Sequence, residues 1–226
     1  MSLEVFPEIE QRSDEWYEQR RGIVTASVVG GLITPRTVKV ANNDTSRAIT
    51  AQLVAERITG FTDPAYVSED MWRGIEEEPL ARDLYSETYA PVVEVGFMVR
   101  TLETGHRIGY SPDGLVGEDG LIEVKSRRPK RHLADILAGA VPLDAMGQCQ
   151  AALLVSGRQW CDYISYCAGM PMWHKRVTPD ERWFDAIRAA VAAFEEAAEQ
   201  MTAAYERAVE GLPMTERRTD DMELVI

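Results

Sequence analysis

Leu121-Ile122-Glu123-Val124-Lys125 decides the fold. Successive side chains of a strand point to opposite faces. Ile122 and Val124 therefore face one way, and Glu123 and Lys125 the other. The first face feeds a core. The second presents a carboxylate and an ammonium roughly 7 Å apart, at about 3.3 Å of rise per residue. Ten residues before Glu123 stands Asp113, in Ser111-Pro112-Asp113-Gly114, just past a strand read over 106–111. A turn at Gly117-Glu118-Asp119-Gly120 would fold 106–111 back on 121–126 and bring Asp113 beside Glu123.

Outward from this hairpin, the pattern alternates helix and strand. Residues 13–21 read as a helix with Ser13 as its cap and acids in its first turn. A short helix follows, opened by Thr25 or Ser27 and ended near Gly30-Gly31. Residues 34–44, with Pro35 and Asn42-Asn43, read as a loop, and 45–58 as an amphipathic helix stopped by Gly60. Residues 75–88 read as a helix with Pro79 in its first turn, where a missing N–H costs little. A strand is expected over 91–99, helices over 130–139 and 143–155, strands over 159–167 and 171–177, and a long Ala/Glu helix over 180–210. The tail beyond Gly211-Leu212-Pro213 turns apolar at Met222, Leu224, Val225 and Ile226. This order predicts an α/β (α+β) fold, a central mixed sheet flanked by helices. One domain is expected over 1–226, with a core at about 12–178 and the C-terminal helix and tail at about 180–226.

The 226 residues are 45% apolar and 27% charged, values ordinary for a globular protein. No apolar run approaches the roughly 20 residues of a membrane helix, and the first residues lack a signal pattern, so a cytoplasmic protein is expected. Cys149, Cys161 and Cys167 form no C-x-x-C pair and read as reduced thiols. His106, His132 and His174 are too scattered for a metal cluster. The net charge of −13 argues against a protein that coats DNA with its whole surface, but does not exclude one that holds DNA in a local channel. Residues 1–19 carry six acids and one base, and residues 179–226 twelve acids and five bases. By contrast Lys125, Arg127, Arg128, Lys130 and Arg131 crowd into seven residues with no acid among them, beside the candidate site.

Two hard carboxylates, Asp113 and Glu123, suit Mg²⁺ completed by waters. A cation there would polarise a phosphate, and Lys125 would orient the attacking water or stabilise the phosphorane charge. Phosphodiester hydrolysis needs those parts. The same Glu-x-Lys pattern also occurs on exposed strands that do no chemistry.

Asp113 followed by Ile122-Glu123-Val124-Lys125 resembles the signature of the PD-(D/E)XK nuclease superfamily. Other segments resemble one branch of it, the lambda-exonuclease-like phage recombination nucleases, or YqaJ-type viral recombinases. They are Trp16-Tyr17-Glu18-Gln19-Arg20-Arg21-Gly22-Ile23-Val24-Thr25-Ala26-Ser27, Gly74-Ile75-Glu76-Glu77-Glu78-Pro79-Leu80-Ala81, Gly109-Tyr110-Ser111-Pro112-Asp113-Gly114-Leu115, and Gln148-Cys149-Gln150.

The resemblance implies a restriction-endonuclease-like core and a Mg²⁺-dependent exonuclease, with one or two metals and Mn²⁺ as a substitute. Asp113 and Glu123 would ligate the metal with the main-chain carbonyl of Val124, and Glu78 would hold a second metal or its waters. Lys125 would serve the water. Arg20 and Ser27 would bind a 5′-phosphate, with Gln150 nearby, and Arg36 would approach the minor groove. The implied activity degrades one strand of duplex DNA from the 5′ end and leaves a 3′ overhang for recombination. The implied partners are a single-strand annealing protein and, in a ring-shaped homotrimer, two further copies of the chain. The implied setting is a bacterial cell carrying a phage or prophage. The run Ser126-Arg127-Arg128 departs from the family's better-known pattern after the lysine. Two other readings stand beside this one: a restriction-type endonuclease or junction resolvase on the same core, and a non-enzymatic recombination partner.

Overall fold

A computed structural model describes residues 2–63 and 68–217. The chain opens with strand β1 (Ser2–Phe6), helix α1 (Asp14–Arg20), strand β2 (Val24–Thr25) and helix α2 (Ala26–Leu32). A small hairpin follows, β3 (Ile33–Thr34) and β4 (Lys39–Val40), then α3 (Asp44–Thr59) and α4 (Glu69–Thr88). Strands β5 (Val92–Val93), β6 (Phe97–Thr101), β7 (Arg107–Tyr110), β8 (Gly114–Val116) and β9 (Gly120–Ser126) come next. The chain closes with α5 (Pro129–Ala138), α6 (Leu143–Ser156), β10 (Trp160–Tyr166), β11 (Trp173–Val177) and α7 (Glu181–Ala208). The apolar positions at Met222, Leu224, Val225 and Ile226 lie outside the described residues.

The helix ends follow local chemistry. The Trp16 N–H donates to the hydroxyl of Ser13 at 3.2 Å, as expected of that cap. Asn43 and Ser46 cap α3 reciprocally, and Gly60 ends it in the left-handed conformation. Residues 34–44 are not a bare loop, since they include the hairpin strands β3 and β4. Helix α4 starts earlier than the sequence predicts. Ser68 caps it with Glu69 and Asp70 in the first turn, which leaves Pro79 inside the helix rather than at its start. The strong cap and the burial of Ala81 and Tyr85 carry the helix through the lost N–H. The strand expected over 91–99 is two strands, because Val92–Val93 pairs with β8 in one sheet and Phe97 onward pairs with β1 and β7 in the other, with Gly96 between them packed against the Ile9 carbonyl.

The strands form two main sheets. One has the order β1-β6-β7-β2 and the other β11-β10-β9-β8-β5. β9 and β10 pair parallel, and β9 pairs antiparallel with β8, so the second sheet is mixed. This corrects the expected hairpin. Residues 107–110 pair with β6 and β2, and the true partner of β9 is the three-residue β8. The chain therefore crosses from one sheet to the other through Ser111-Pro112-Asp113. The antiparallel register sets Gly114 opposite Ile122, which carries Asp113 to Glu123 all the same.

Alternation along β9 is as read. Ile122 and Val124 pack with Ile164, Ala81 and Tyr85 under α4. Leu121 points to the other side, into the large core it shares with Cys149, Leu153 and Ile187 of α6 and α7. The cysteines Cys149, Cys161 and Cys167 are buried and unpaired. Among the described residues no helix is long and apolar enough to cross a membrane.

A polar tie binds α4 to this sheet. The Tyr85 hydroxyl donates to Asp162 Oδ2 at 2.7 Å, and Arg176 Nε and Nη2 donate to the two Asp162 oxygens at 2.8 Å each. Asp162 is fully buried, and truncating it would strand a buried hydroxyl. Asp162→Ala should destabilise the fold by about 2–4 kcal/mol in chemical denaturation. Adding Tyr85→Phe should then cost less than it does in the wild type. Additive losses would contradict this tie.

Candidate active site

The link between the sheets places the carboxylates. Asp113 Oδ2 accepts the main-chain N–H of Val124 at 2.7 Å, which fixes the side chain against β9. The next residue, Gly114, leaves room for the Val92 side chain, which an added Cβ would strike. Glu123 is fully buried and its Oε1 accepts from Lys125 Nζ at 2.7 Å. Its other oxygen, Oε2, is buried without a partner among the described residues, as is the Tyr110 hydroxyl. A buried carboxylate oxygen left bare is costly unless a ligand reaches it.

Electrostatics join a third acid to the pair. Burial and then the charge of Glu123 push the Asp113 carboxyl up to about 7, against the opposing pull of Lys125. Burial likewise raises Glu123. Burial, and next the charge of Asp113, raise Glu78 on α4 to about 7. Burial works against the Lys125 ammonium, but Glu123 and Asp113 outweigh it and hold its pKa above the ordinary lysine value. Burial and mutual repulsion thus make all three acids resist ionisation. Among the described residues no three His, Cys, Asp or Glu side chains converge tightly enough to form a metal site by themselves. For one metal the expected donors are Asp113, Glu123 and the Val124 carbonyl, with Glu78 expected at a second metal or its waters, and the bare Glu123 oxygen fits the first set.

Arg82, which sequence reading passed over, organises this corner. Its Nη1 donates to the Asp113 main-chain oxygen at 2.8 Å and to Glu78 Oε1 at 3.3 Å, and its Nη2 lies 3.0 Å from Glu94 Oε2. Its spacing of four from Glu78 on a helix was the available signal.

A cavity of about 160 Å³ reaches Asp113 and is also lined by Arg20, Ser27, Tyr110, Ser111 and Gln148. Arg20 lies over the Trp16 ring, with Cζ 4.0 Å from its centroid, and the Trp16 indole donates to Ser111 Oγ at 2.8 Å. Burial lowers the Arg20 pKa although Glu56 pulls the other way, and Arg20 makes no ion pair among the described residues. Its charge is therefore available to an anion. Ser27 is exposed beside it and hydrogen-bonds Thr25 at 3.1 Å.

Gln150, expected near this pocket, is turned away from it. Its amide donates to the Thr178 carbonyl at 2.9 Å and its oxygen accepts from the Asp180 N–H at 3.0 Å, which ties α6 to the start of α7. Residues two apart on a helix point to nearly opposite sides, at about 100° per residue, and Gln148 is the one that lines the cavity. Arg36 sits exposed in the turn between β3 and β4 and does not line that cavity. The basic run after β9 is largely engaged. Arg127 and Arg131 pair with Asp135, and Arg128 with Asp70 at 2.7 Å.

Two further cavities adjoin. A chamber of about 330 Å³ shares Trp16, Arg20 and Thr25 with the Asp113 cavity. A cleft of about 340 Å³ is lined by Glu78 and Arg82. Arg12 lines both, with φ of 75°, a left-handed conformation that costs a non-glycine residue about 1–2 kcal/mol.

Comparison with known proteins adds to this geometry. A family model described as YqaJ-like viral recombinase domain matches residues 15–159. The crystal structure of an alkaline exonuclease from Laribacter hongkongensis is 32% identical, covers 89% of this chain and 100% of its own, and superposes with a TM-score of 0.77. The same values hold for that protein in complex with dAMP. A phage-related exonuclease from Haemophilus somnus 129PT, 14% identical over 81% of this chain and 96% of its own, shares the fold with a TM-score of 0.64. No curated protein matches the chain by sequence.

The raised carboxyls make a test in the absence of cations. The Asp113 carboxyl titrates from about 7 in the fold against 3.8 in an ordinary setting, so its stabilising contribution is present below pH 3.8 and is lost as pH rises to about 7. In EDTA, Asp113→Asn should therefore melt above the wild type by a margin that grows across that window and is flat beyond it. Thermal melts from pH 4 to pH 8 decide this, and a margin independent of pH would refute it.

Proposed function

The chain belongs to the YqaJ-like viral recombinase family, and from that premise we propose that it is a Mg²⁺-dependent exonuclease that degrades duplex DNA from a 5′ end and leaves a 3′ overhang. One observation carries the reading. Glu123 has one oxygen on Lys125 and the other bare, and Asp113, bonded to the next main-chain N–H at Val124, lines a cavity that also holds Arg20.

The roles follow from this placement. Asp113, Glu123 and the Val124 carbonyl would hold a divalent cation, Mg²⁺ with Mn²⁺ as a substitute, and Glu78 would hold a second or its waters. The cation supplies Lewis acidity toward a phosphodiester. Lys125, a quarter exposed and kept charged by two carboxylates, donates to the attacking water or to the charge that builds on phosphorus. Arg82 holds the Asp113 turn and Glu78 in position. Arg20 and Ser27, with Gln148, take the terminal 5′-phosphate, a charge-assisted contact that fixes direction. The dAMP bound to the Laribacter protein supports DNA as the substrate class. In the cytoplasm of a host bacterium the overhang would pass to a single-strand annealing protein, and a homotrimeric ring would keep the enzyme on its track.

End-labelled linear duplex with Mg²⁺ tests direction. Label at the 5′ end should be released as mononucleotide well before label at the 3′ end, and closed circles should stay intact. Nicked circles would favour the endonuclease reading. Lys125→Ala should lower the rate by about 10²-fold or more while duplex binding survives, and retained turnover would sink the assignment. Arg20→Ala should slow 5′-phosphorylated ends more than 5′-hydroxyl ends, and equal losses would remove Arg20 from the pocket.

A further inference from the structure

Three cavities meet at one short link, Gln11-Arg12. Gln11 lines both the Asp113 cavity and the Glu78 cleft, while Arg12 and Ile75 are common to the Glu78 cleft and the Arg20 chamber. The neighbours of Arg12 are fixed. Gln11 Nε2 donates to the Pro112 carbonyl at 3.0 Å, next to Asp113, and Ser13 caps α1. One residue must turn the chain between these two anchors, and Arg12 does so in the left-handed region. Glycine makes such a turn without strain. This chain places an exposed arginine there instead. Arg12 is also the one base among residues 1–19, against six acids. Two carboxylates lining the same cleft, Glu78 and Glu94, pair with Arg82, and Arg12 makes no ion pair among the described residues. An unpaired guanidinium in a strained position, on the rim of a carboxylate-rich cleft, is arranged for an anion that the cleft would otherwise repel.

We propose that Arg12 is a DNA-backbone contact, whose guanidinium holds a phosphodiester of the strand running between the Arg20 chamber and the Asp113–Glu123 carboxylates. The proposal rests on the nuclease reading above and adds to it a binding residue.

The test uses the full chain carrying Arg12→Gly or Arg12→Lys. Three measurements are made: thermal melting, steady-state release of nucleotide from 5′-phosphorylated duplex in Mg²⁺, and duplex binding in Ca²⁺ across a salt series. Arg12→Gly should melt no lower than the wild type, since glycine relieves the turn. Its KM should rise about tenfold with kcat within about twofold, and its slope of log affinity against log salt should fall by about one. Arg12→Lys keeps the charge and should recover the salt slope and most of the affinity. A glycine variant with wild-type KM and salt slope would overturn the proposal. So would a lysine variant as impaired as the glycine one. If the wild type releases no nucleotide, the nuclease reading fails, and the binding series still reports on Arg12.

Discussion

The site depends on a buried negative charge that the fold does not fully compensate. Asp113 is held by one main-chain N–H, and Glu123 by one ammonium at 2.7 Å, with its second oxygen bare. Leaving a carboxylate oxygen dry costs more than a surface pair returns. The surrounding hydrophobic packing has to carry that deficit. It does so with two cores, one on each face of β9. The strand that carries Glu123 and Lys125 is thus enclosed on both faces, and its Ile122 and Val124 are as necessary to the candidate site as its Glu123.

Rigid support around this deficit is polar as well as apolar. Arg82 joins α4 to the Asp113 turn, and Arg73 with Glu77 clamps the hydroxyl of Ser126 at the far end of β9. Behind β10, buried His132 bonds Ser165 at 2.8 Å and the Pro171 carbonyl at 2.9 Å, which seats α5 against the sheet. Arginines that a sequence shows as free positive charge are in this way spoken for by Asp70, Asp135 and Asp162. Arg20 and Arg12 stand apart from that pattern at the cavity walls.

Much of this was legible in the residues. Alternation along 121–125 placed Glu123 opposite the core face, and a turn over 117–120 placed Asp113 near it. The antiparallel partner of β9 does not show in the sequence, because three residues, Gly114–Val116, are too few to carry a period. The sequence shows α4 only from residue 75, since Pro79 is a strong local signal that the Ser68 cap and the burial of Ala81 and Tyr85 override. Gln150 was placed near the pocket where the helix turns Gln148 to it, a rotation of two residues that no spacing in a single sequence decides. The left-handed turn at Arg12 leaves no trace in the sequence, because the β-turn closed by the Ser13 N–H on the Glu10 carbonyl ordinarily signals itself by a glycine at that position and here carries an arginine.

The parallel pairing of β9 with β10 has a consequence for how the chain comes into being. Partners in this ladder stand 40 positions apart, as Gly120 does from Trp160, and α5 and α6 fill the interval. Closing so large a loop exacts its entropy before the ladder returns anything, which makes such pairings slow to nucleate. A growing polypeptide that has displayed its acidic trio therefore still lacks the wall that encloses it. The corner can close only once the segment through Tyr166 has been made, so a product cut short before it would carry the three carboxylates without their wall.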